Sequence, residues 1–322
     1  PVHGRPRTSR GERLVRGFLS FVKIRRHPRA SKKDIAPGID SIHPMSLLLF
    51  TVLVAGGSFS AGLLGALTGL GGGIVIVPML TLLFGVDLRY AIGASLVSVI
   101  ATSSGAAAAY VKEGFTNVRV GMLLEIATTV GALGGAYLAG RIGTGTIAVI
   151  FGLVLLYSAY RSTKPLAEHV STENADPLAI RLRLNSTYPT PNGLQAYAVQ
   201  AVPAGFGLMF LAGILSGLLG IGSGALKVLA MDQMMHLPFK VSTTTSNFMI
   251  GVTAAASAGI YLARGYIDPP LAMPVMIGVL AGALTGARVL AHANTKVLRR
   301  IFAVVVVVLA LEMLYKGIRG GL

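Results

Sequence analysis

Cysteine and tryptophan are both absent from this sequence, and acidic residues are scarce. Without cysteine there can be no disulfide, thiolate metal site or cysteine nucleophile. Without tryptophan, the anchoring of helices at a membrane surface falls to Tyr, Lys and Arg. Charged residues make up only 12 % of the chain, whereas 53 % is hydrophobic and the mean hydropathy is +0.71. A soluble domain of 322 residues cannot bury that much apolar surface, so the composition predicts a membrane protein.

Apolar runs separated by short polar segments predict an all-α, polytopic fold with two homologous repeats. The predicted division is a basic N-terminal arm (1–44), transmembrane repeat 1 (45–162), an extramembrane linker (163–199) and transmembrane repeat 2 (200–322). Within the linker, alternating polar and apolar residues predict a β-hairpin with strands over Leu178–Asn185 and Leu194–Val199. The predicted apolar segments are Met45–Thr68, Ile74–Phe84, Tyr90–Val111, Arg119–Gly140, Thr144–Tyr160, Ala204–Leu219, Ala225–Met235, Val241–Ala263, Pro270–Ala291 and Val297–Tyr315.

Basic residues are concentrated in the N-terminal arm, where residues 1–44 carry half of the formal net charge of +16. By the positive-inside rule this arm should stay on the cytoplasmic side. Apolar residues at helical spacing from Leu14 to Val22 predict a short amphipathic helix lying on anionic lipid. No DNA-binding motif surrounds these charges, so nucleic acid is not an expected partner.

A glycine-rich stretch interrupts the first apolar run between Thr68 and Ile74. Glycine is unfavourable in a helix interior and permits backbone conformations that other residues resist. At membrane depth a helix break is tolerated only where its backbone groups face protein or water, so the stretch predicts a cavity. A half-helix beginning at Ile74 would direct its N-terminal N–H groups towards an anion there. Close packing of helices through small residues is the alternative explanation.

The glycine-rich stretch recurs near residue 220, and the two halves align without a gap at an offset of 151 residues. Paired glycine-interrupted segments in two halves point to a transporter with its site at the repeat interface. The loop charges leave open whether the repeats are inverted or parallel. The matched pairs include Gly62 and Gly213, Gly69 and Gly220, Gly71 and Gly222, Gly73 and Gly224, Ser95 and Ser246, and Thr102 and Thr253.

Ionisable residues within the apolar runs are candidates for function, because charge at bilayer depth is unfavourable. Lys227 lies three residues beyond Gly224, at a position that Ile76 occupies in the first half. We predict that Lys227 is the fixed positive charge of an anion site, with snorkelling to the interface as the alternative. Glu125 could carry a proton or pair with a basic residue. Asp232 does not share a helical face with Lys227, so an ion pair between them is not expected.

Hydroxyl and amide side chains cluster from Ser242 to Asn247, where they could donate hydrogen bonds to an anion. Capping of the next helix by Ser242 or Thr243 is the alternative. No catalytic constellation, metal site or cofactor motif is found, so an enzyme is not expected. The predicted substrate-binding residues are Gly71, Gly72, Gly73, Ser95, Gly222, Ser223, Gly224, Lys227, Thr244, Thr245, Ser246 and Asn247.

Three segments resemble the sulfite exporter TauE/SafE family of membrane permeases: Gly69–Pro78, Gly220–Val228 and Thr245–Ala254. The resemblance extends from about Met45 to Tyr315. It implies transport of sulfur-containing anions, such as sulfite or organosulfonates, across a prokaryotic inner membrane. Ser223 and Leu229 depart from the family pattern, in which Gly and Pro respectively are expected.

The predicted function is therefore a secondary transporter of small sulfur-containing anions, embedded in the lipid bilayer. Two alternatives stay open: the same scaffold could transport a different solute, or the basic arm could dock a soluble partner. A homo-oligomer also stays open, as do the coupling ion and the direction of transport.

Overall fold

A computed structural model describes residues 47–68, 72–112, 114–163, 175–190, 193–290 and 295–320. Within these ranges the chain is mostly helical, with one small sheet. The basic N-terminal arm, with the amphipathic helix predicted in it, lies outside the described residues, as do Gly69 and Gly71.

The described elements fall before, within and after the linker. Those before it are α1 (Leu47–Thr68), α2 (Gly73–Leu82), α3 (Leu88–Lys112), α4 (Val118–Ala139) and α5 (Thr144–Thr163). Those within it are α6 (Pro177–Arg181), β1 (Ser186–Thr190) and β2 (Gly193–Tyr197). Those after it are α7 (Val202–Leu219), α8 (Gly224–Leu229), a π-helical turn (Ala230–Met234), α9 (Phe239–Ala263), α10 (Pro269–Leu290) and α11 (Thr295–Arg319).

Five described helices are long and apolar enough to cross a membrane, namely α1, α4, α7, α9 and α10. Many of their apolar side chains face outwards, including Met122 and Ile126 of α4, which are 63 % and 61 % exposed. Outward-facing apolar side chains are suited to contact with lipid rather than water. The protein is therefore a multi-pass membrane protein.

Helices are interrupted at both glycine-rich stretches. The first interruption lies between α1, which is described to Thr68, and α2, which begins at Gly73 after a turn at Gly72; the second separates Leu219 from Gly224. In the second, Gly220 and Gly222 have φ angles of +67° and +70°, a left-handed conformation in which glycine carries no Cβ penalty.

The segment after each interruption turns back beside the helix before it. A Cβ built on Gly57 of α1 would lie 2.8 Å from the Met79 Sδ atom of α2, and the rings of Phe50 and Phe84 are 5.9 Å apart. The contact closer to the start of α1 is made with a residue later in the chain, just after α2, so the two helices are antiparallel. In the second half, Gln200 N donates to Met235 O at 3.1 Å. The sequence predicts the interruptions, but not this reversal.

Two pairs of helices contact each other through glycine. A Cβ on Gly131 of α4 would lie 2.2 Å from Phe210 O of α7, and one on Gly135 would lie 2.0 Å from Ile214 O. Because a step of four residues along α4 is matched by a step of four residues in the same direction along α7, the two helices are parallel. Helices α1 and α10 are parallel by the same criterion. A Cβ on Gly278 of α10 would lie close to Ala55 O of α1, and one on Gly282 would lie close to Phe59 O. Small residues permit this close approach of backbones.

These directions place the connections on two faces of the bundle. The lower face carries residues 83–87, 140–143 and 264–268, and Arg264 donates there to Ala136 O and Tyr137 O at 2.7 and 3.0 Å. The upper face carries residues 114–117, 175–190, 193–201 and 235–238. Helix α1 begins at the lower face, whereas α7 begins at the upper face. The two sets of helices therefore enter the bundle from opposite sides.

A β-hairpin is present in the linker, but its first strand was wrongly predicted. Strand β1 pairs antiparallel with β2, with Ser186 opposite Tyr197. The segment predicted as a strand from Leu178 instead begins with helix α6. Its start is fixed locally, because Asp176 Oδ1 accepts from Leu178 N at 2.8 Å and Pro177 occupies the first helical turn.

Asn117 connects the linker to the membrane helices at the upper face. Its amide Nδ2 donates to Leu184 O at 2.8 Å and to the Tyr197 hydroxyl at 2.7 Å, while its Oδ1 accepts from Val120 N and caps α4. The Asn117 N–H donates to Thr245 Oγ1 of α9 at 3.0 Å. Burial raises the pKa of Tyr197 to about 12, and the hydrogen bond from Asn117 acts in the opposite direction. One buried side chain thus connects the hairpin with α4 and α9.

Candidate functional site

A buried polar cluster is formed by Lys227 of α8, Glu125 of α4 and Thr253 of α9. Lys227 is fully buried, and its Nζ atom lies 3.9 Å from Glu125 Oε2. The Thr253 hydroxyl accepts a hydrogen bond from Lys227 Nζ and lies 2.7 Å from Glu125 Oε1. Three separate helices thus bring one cation, one carboxylate and one hydroxyl together.

The two carboxylate oxygens of Glu125 have different surroundings. Oε1 accepts from the Thr129 hydroxyl at 3.0 Å, one helical turn further along α4, as well as contacting Thr253. Oε2 is buried and accepts no hydrogen bond from any described residue. It faces Lys227 at ion-pair distance only. The carboxylate is therefore paired with the cation but incompletely hydrogen-bonded.

The ion pair with Glu125 offsets the unfavourable burial of the Lys227 ammonium. A buried ammonium is strongly unfavourable unless it is paired. The side chain of Glu125 is only 11 % exposed, so both charges are removed from water. Within the described residues, Lys227 pairs with Glu125 and not with Asp232, as its helical spacing predicts. Snorkelling of Lys227 is wrong for this structure, because its side chain is fully buried.

The two helix interruptions contact each other. A Cβ on Gly73 would lie 3.3 Å from Ile221 Cα and 3.0 Å from the Ser95 hydroxyl. Ser95 in turn donates to Gly220 O at 2.8 Å. Gly72 and Gly73 are both buried. The predicted residues Gly72, Gly73 and Ser95 therefore lie together at the second interruption.

The remaining glycines and Ser246 complete the second interruption. A Cβ on Gly222 would lie 2.7 Å from the Ile250 side chain, so a larger residue there would require Ile250 to shift and would also be strained at a φ of +70°. Ser246 donates to Gly224 O at 3.3 Å. These three predicted residues lie where α8 begins, one turn before Lys227.

Ser223 keeps a glycine-like backbone conformation at the same place. Its φ angle is +48°, in the left-handed region, although it carries a side chain. Its hydroxyl is buried and has no hydrogen-bond partner in the part of the chain that the structure describes. Leu229, the second departure from the family pattern, ends α8, and the π-helical turn follows it. At the position matched to Leu229, Pro78 lies inside α2.

The hydroxyl cluster of α9 is divided among different neighbours. Thr244 donates back to Lys240 O at 2.9 Å, and Thr245 accepts from Asn117 N. Asn247 is half-buried and makes no hydrogen bond to another described residue. Because successive helical residues point about 100° apart, these side chains do not converge. Of this group within the described residues, only Ser246 is seen to hydrogen-bond to the second interruption.

Capping does not explain the start of α9 either. Ser242 donates to Leu237 O and Thr243 donates to Phe239 O, and neither hydroxyl caps an N–H group of a described residue. The N-cap position is held by Pro238, which makes no side-chain cap.

Thr253 and Thr129 were not among the predicted site residues, and Glu125 was named as a residue that could carry a proton or pair with a basic residue. A signal for Thr129 existed, since it stands four residues after Glu125 on one helical face. Thr253 was named only through its match with Thr102 and lay within the segment Thr245–Ala254 that resembles the family. Nothing in the local sequence of either residue indicates that Thr253 and Glu125 meet.

Comparison with known proteins gives a consistent result. A family model described as "Sulfite exporter TauE/SafE" matches residues 54–313. The probable membrane transporter protein YunE of Bacillus subtilis is 31 % identical over 278 residues, which cover 84 % of this chain and 98 % of that protein. A probable membrane transporter protein of Xylella fastidiosa (strain 9a5c) is 25 % identical over 279 residues, covering 84 % and 96 % respectively. No solved structure matches this chain.

The family match covers both sets of membrane helices and both interruptions, and the family is one of transporters rather than enzymes. This chain is therefore a membrane transporter that belongs to the TauE/SafE sulfite exporter family.

Proposed function

We propose that this protein is a secondary transporter of small sulfur-containing anions and that Lys227 provides the positive charge of its binding site. The observation that carries the proposal is the complete burial of Lys227 one turn after a helix interruption. Ionisable residues at such depth in a membrane protein are unfavourable for folding and commonly mark a substrate or ion pathway.

The surroundings of Lys227 suit an oxyanion. Its partner in the structure is a carboxylate, which is itself an anion with charge-bearing oxygens. A sulfite or sulfonate group has the same kind of oxygens, so it can take the place of Glu125 beside the ammonium. Ser223 supplies an unpartnered buried hydroxyl nearby in sequence, which can donate to a further oxygen of the anion.

We assign the remaining predicted site residues different roles. Gly72, Gly73, Gly222 and Gly224 allow the two interruptions to approach, and Ser95 and Ser246 hold the backbone there through their bonds to Gly220 O and Gly224 O. Thr244 and Thr245 are engaged with other backbone groups, so we propose no direct contact between them and substrate.

We propose further that the two sets of helices are inverted repeats that move against each other during transport. The support is that close contacts recur at the sequence offset: Gly62 approaches Val279 O, and Gly213 approaches Thr128 O. In the same way, the contact of Gly131 with Phe210 O becomes the contact of Gly282 with Phe59 O when each residue is replaced by its match in the other half. Inverted repeats that meet at broken helices are an arrangement through which transporters expose one site to either side in turn.

The proposed setting is a prokaryotic inner membrane with the basic N-terminal arm in the cytoplasm. The positive-inside rule supports this orientation, since half of the formal net charge precedes α1. The substrate class comes from the family to which the chain belongs. Sulfite, organosulfonates, sulfate and small carboxylates are therefore the anions to compare.

The test is anion flux into proteoliposomes containing the purified protein, with those four classes of anion as substrates. Lys227→Gln keeps a long polar side chain but removes the charge. We expect affinity for the preferred anion, read from the concentration dependence of its flux, to fall at least about tenfold, equivalent to about 1.4 kcal/mol. Lys240→Gln is the matched control, because Lys240 is exposed and lies over the ring of Phe115. Unchanged flux in well-folded Lys227→Gln protein would defeat the proposal, and preference for a carboxylate would reassign the substrate.

A further inference from the structure

We propose that Glu125 is the proton-binding residue that couples anion binding to proton binding in this transporter. The inference rests on the proposed anion site at Lys227. When the site is empty, the Glu125 carboxylate neutralises Lys227; when Glu125 takes up a proton, Lys227 becomes available to an anion. Proton and anion thus bind together, and they cross the membrane in the same direction.

The geometry carries this inference because Glu125 and a substrate anion would need the same cation. Lys227 is fully buried, and its ion pair within the described residues is with Glu125. A second full negative charge beside this pair would leave an excess negative charge away from water, which is unfavourable. Binding of an anion at Lys227 therefore requires Glu125 to lose its charge.

The hydrogen bonds of Glu125 show where the proton can reside. Oε2 is buried, faces Lys227 and accepts no hydrogen bond from a described residue. Oε1 is already in contact with the hydroxyls of Thr129 and Thr253. A hydroxyl can both donate and accept, so these two residues can serve either form of the carboxyl group. Protonation therefore does not break up the cluster around it.

Within the described residues, no other carboxylate forms an ion pair with Lys227. Helix α7 contains no ionisable residue in its sequence. On α4, Arg119 is exposed and donates to Arg183 O; on α9, Lys240 lies over Phe115 and Arg264 donates to carbonyls at the end of α4. Asp232, on the π-helical turn after α8, does not pair with Lys227. The single cation is thus balanced by a single carboxylate.

The charge balance follows directly. One proton converts the carboxylate to a neutral acid, and one negative charge on the substrate then neutralises the ammonium. Transport of a monovalent anion with its proton moves no net charge across the membrane. A divalent anion carries one net negative charge with it.

The experiment measures binding of methanesulfonate to the purified protein at several values between about pH 5.5 and about pH 8, a range over which this anion stays ionised. If one proton is taken up with each anion, affinity should fall by about tenfold per pH unit wherever Glu125 is ionised in the empty site. Glu125→Gln imitates the protonated form, so its binding should persist and lose the pH dependence. Glu312→Gln is the matched control in α11, because Glu312 is exposed, and should behave as the unmodified protein does.

A second measurement does not depend on any variant. Mixing the unmodified protein with methanesulfonate in weakly buffered detergent solution at about pH 7.5 should remove close to one proton from solution per bound anion. Binding with no proton uptake, or pH dependence that persists in Glu125→Gln, would overturn the coupling and leave the anion site standing. Absence of methanesulfonate binding at every pH would instead overturn the proposed function itself.

Discussion

The pair formed by Lys227 and Glu125 predicts a specific pattern of stability in a double-mutant cycle. With unit charges 3.9 Å apart and an effective dielectric constant of about 20, their attraction is roughly 4 kcal/mol. Breaking a buried pair by removing one partner typically costs about 3–5 kcal/mol, whereas replacing both is often neutral. Glu125→Gln should therefore lower the free energy of unfolding by about 3 kcal/mol, because it leaves the ammonium of Lys227 buried and unpaired.

Lys227→Met should have a smaller effect, because the Glu125 carboxyl can become neutral by taking up a proton. The double variant should be more stable than Glu125→Gln alone, and the coupling energy should be about 2–3 kcal/mol, within the range seen for contacting residues. The assay is unfolding in mixed micelles with an increasing fraction of sodium dodecyl sulfate, followed by circular dichroism. Lys240→Gln combined with Glu312→Gln is the control, since both residues are exposed and their effects should add. Additivity of Lys227→Met and Glu125→Gln to within about 0.5 kcal/mol would refute the reasoning.

Three further predictions can be checked by the same unfolding assay or by optical titration. Gly135→Ala should destabilise the protein by about 1–3 kcal/mol, because its Cβ would lie 2.0 Å from a backbone oxygen. Gly134→Ala is the control and should be neutral or stabilising, because nothing lies within 4 Å of its Cβ. Equal effects of the two substitutions would contradict the parallel helix contact. Ser223→Gly should stabilise by about 1–2 kcal/mol, since it relieves a left-handed φ of +48° and removes a buried unpartnered hydroxyl, and a loss of stability would mean that the hydroxyl has a partner. Burial raises the pKa of Tyr197 from 10.0 to about 12, so its contribution to stability is present below pH 10 and is lost as pH rises towards 12. Absorbance near 295 nm, compared with that of Tyr197→Phe, reports the ionisation of this residue. Ionisation of Tyr197 at pH 10 would contradict the prediction.

The positions of the helices could largely be predicted from the sequence, because an apolar run long enough to span a membrane is compatible with few structures other than a helix. The run Val241–Ala263, for example, corresponds to α9 at Phe239–Ala263. The glycine-rich stretches likewise predict where helices stop. They do not predict that α2 returns beside α1, because glycine permits a reversal without specifying what the next segment packs against. That choice is made by tertiary contacts such as Gly57 with Met79.

The candidate site was predictable only in part for a similar reason. Lys227 could be selected because a charge in an apolar run has a large energetic consequence wherever it points. Its partner could not, because Glu125 and Thr253 lie on different helices whose packing no local pattern records. The hydroxyl cluster misled in the opposite way, since neighbours such as Thr244 and Thr245 are close in sequence but face different groups.

The most direct measurement of the central claim is an experimental structure determined with a bound sulfur-containing anion, ideally the one that the flux comparison selects. The account predicts that an oxygen of the anion lies within about 3.2 Å of the Lys227 Nζ atom, between the two interruptions, and that the Glu125 carboxyl no longer pairs with the ammonium. An anion bound elsewhere, with the pair between Lys227 and Glu125 still intact, would contradict it.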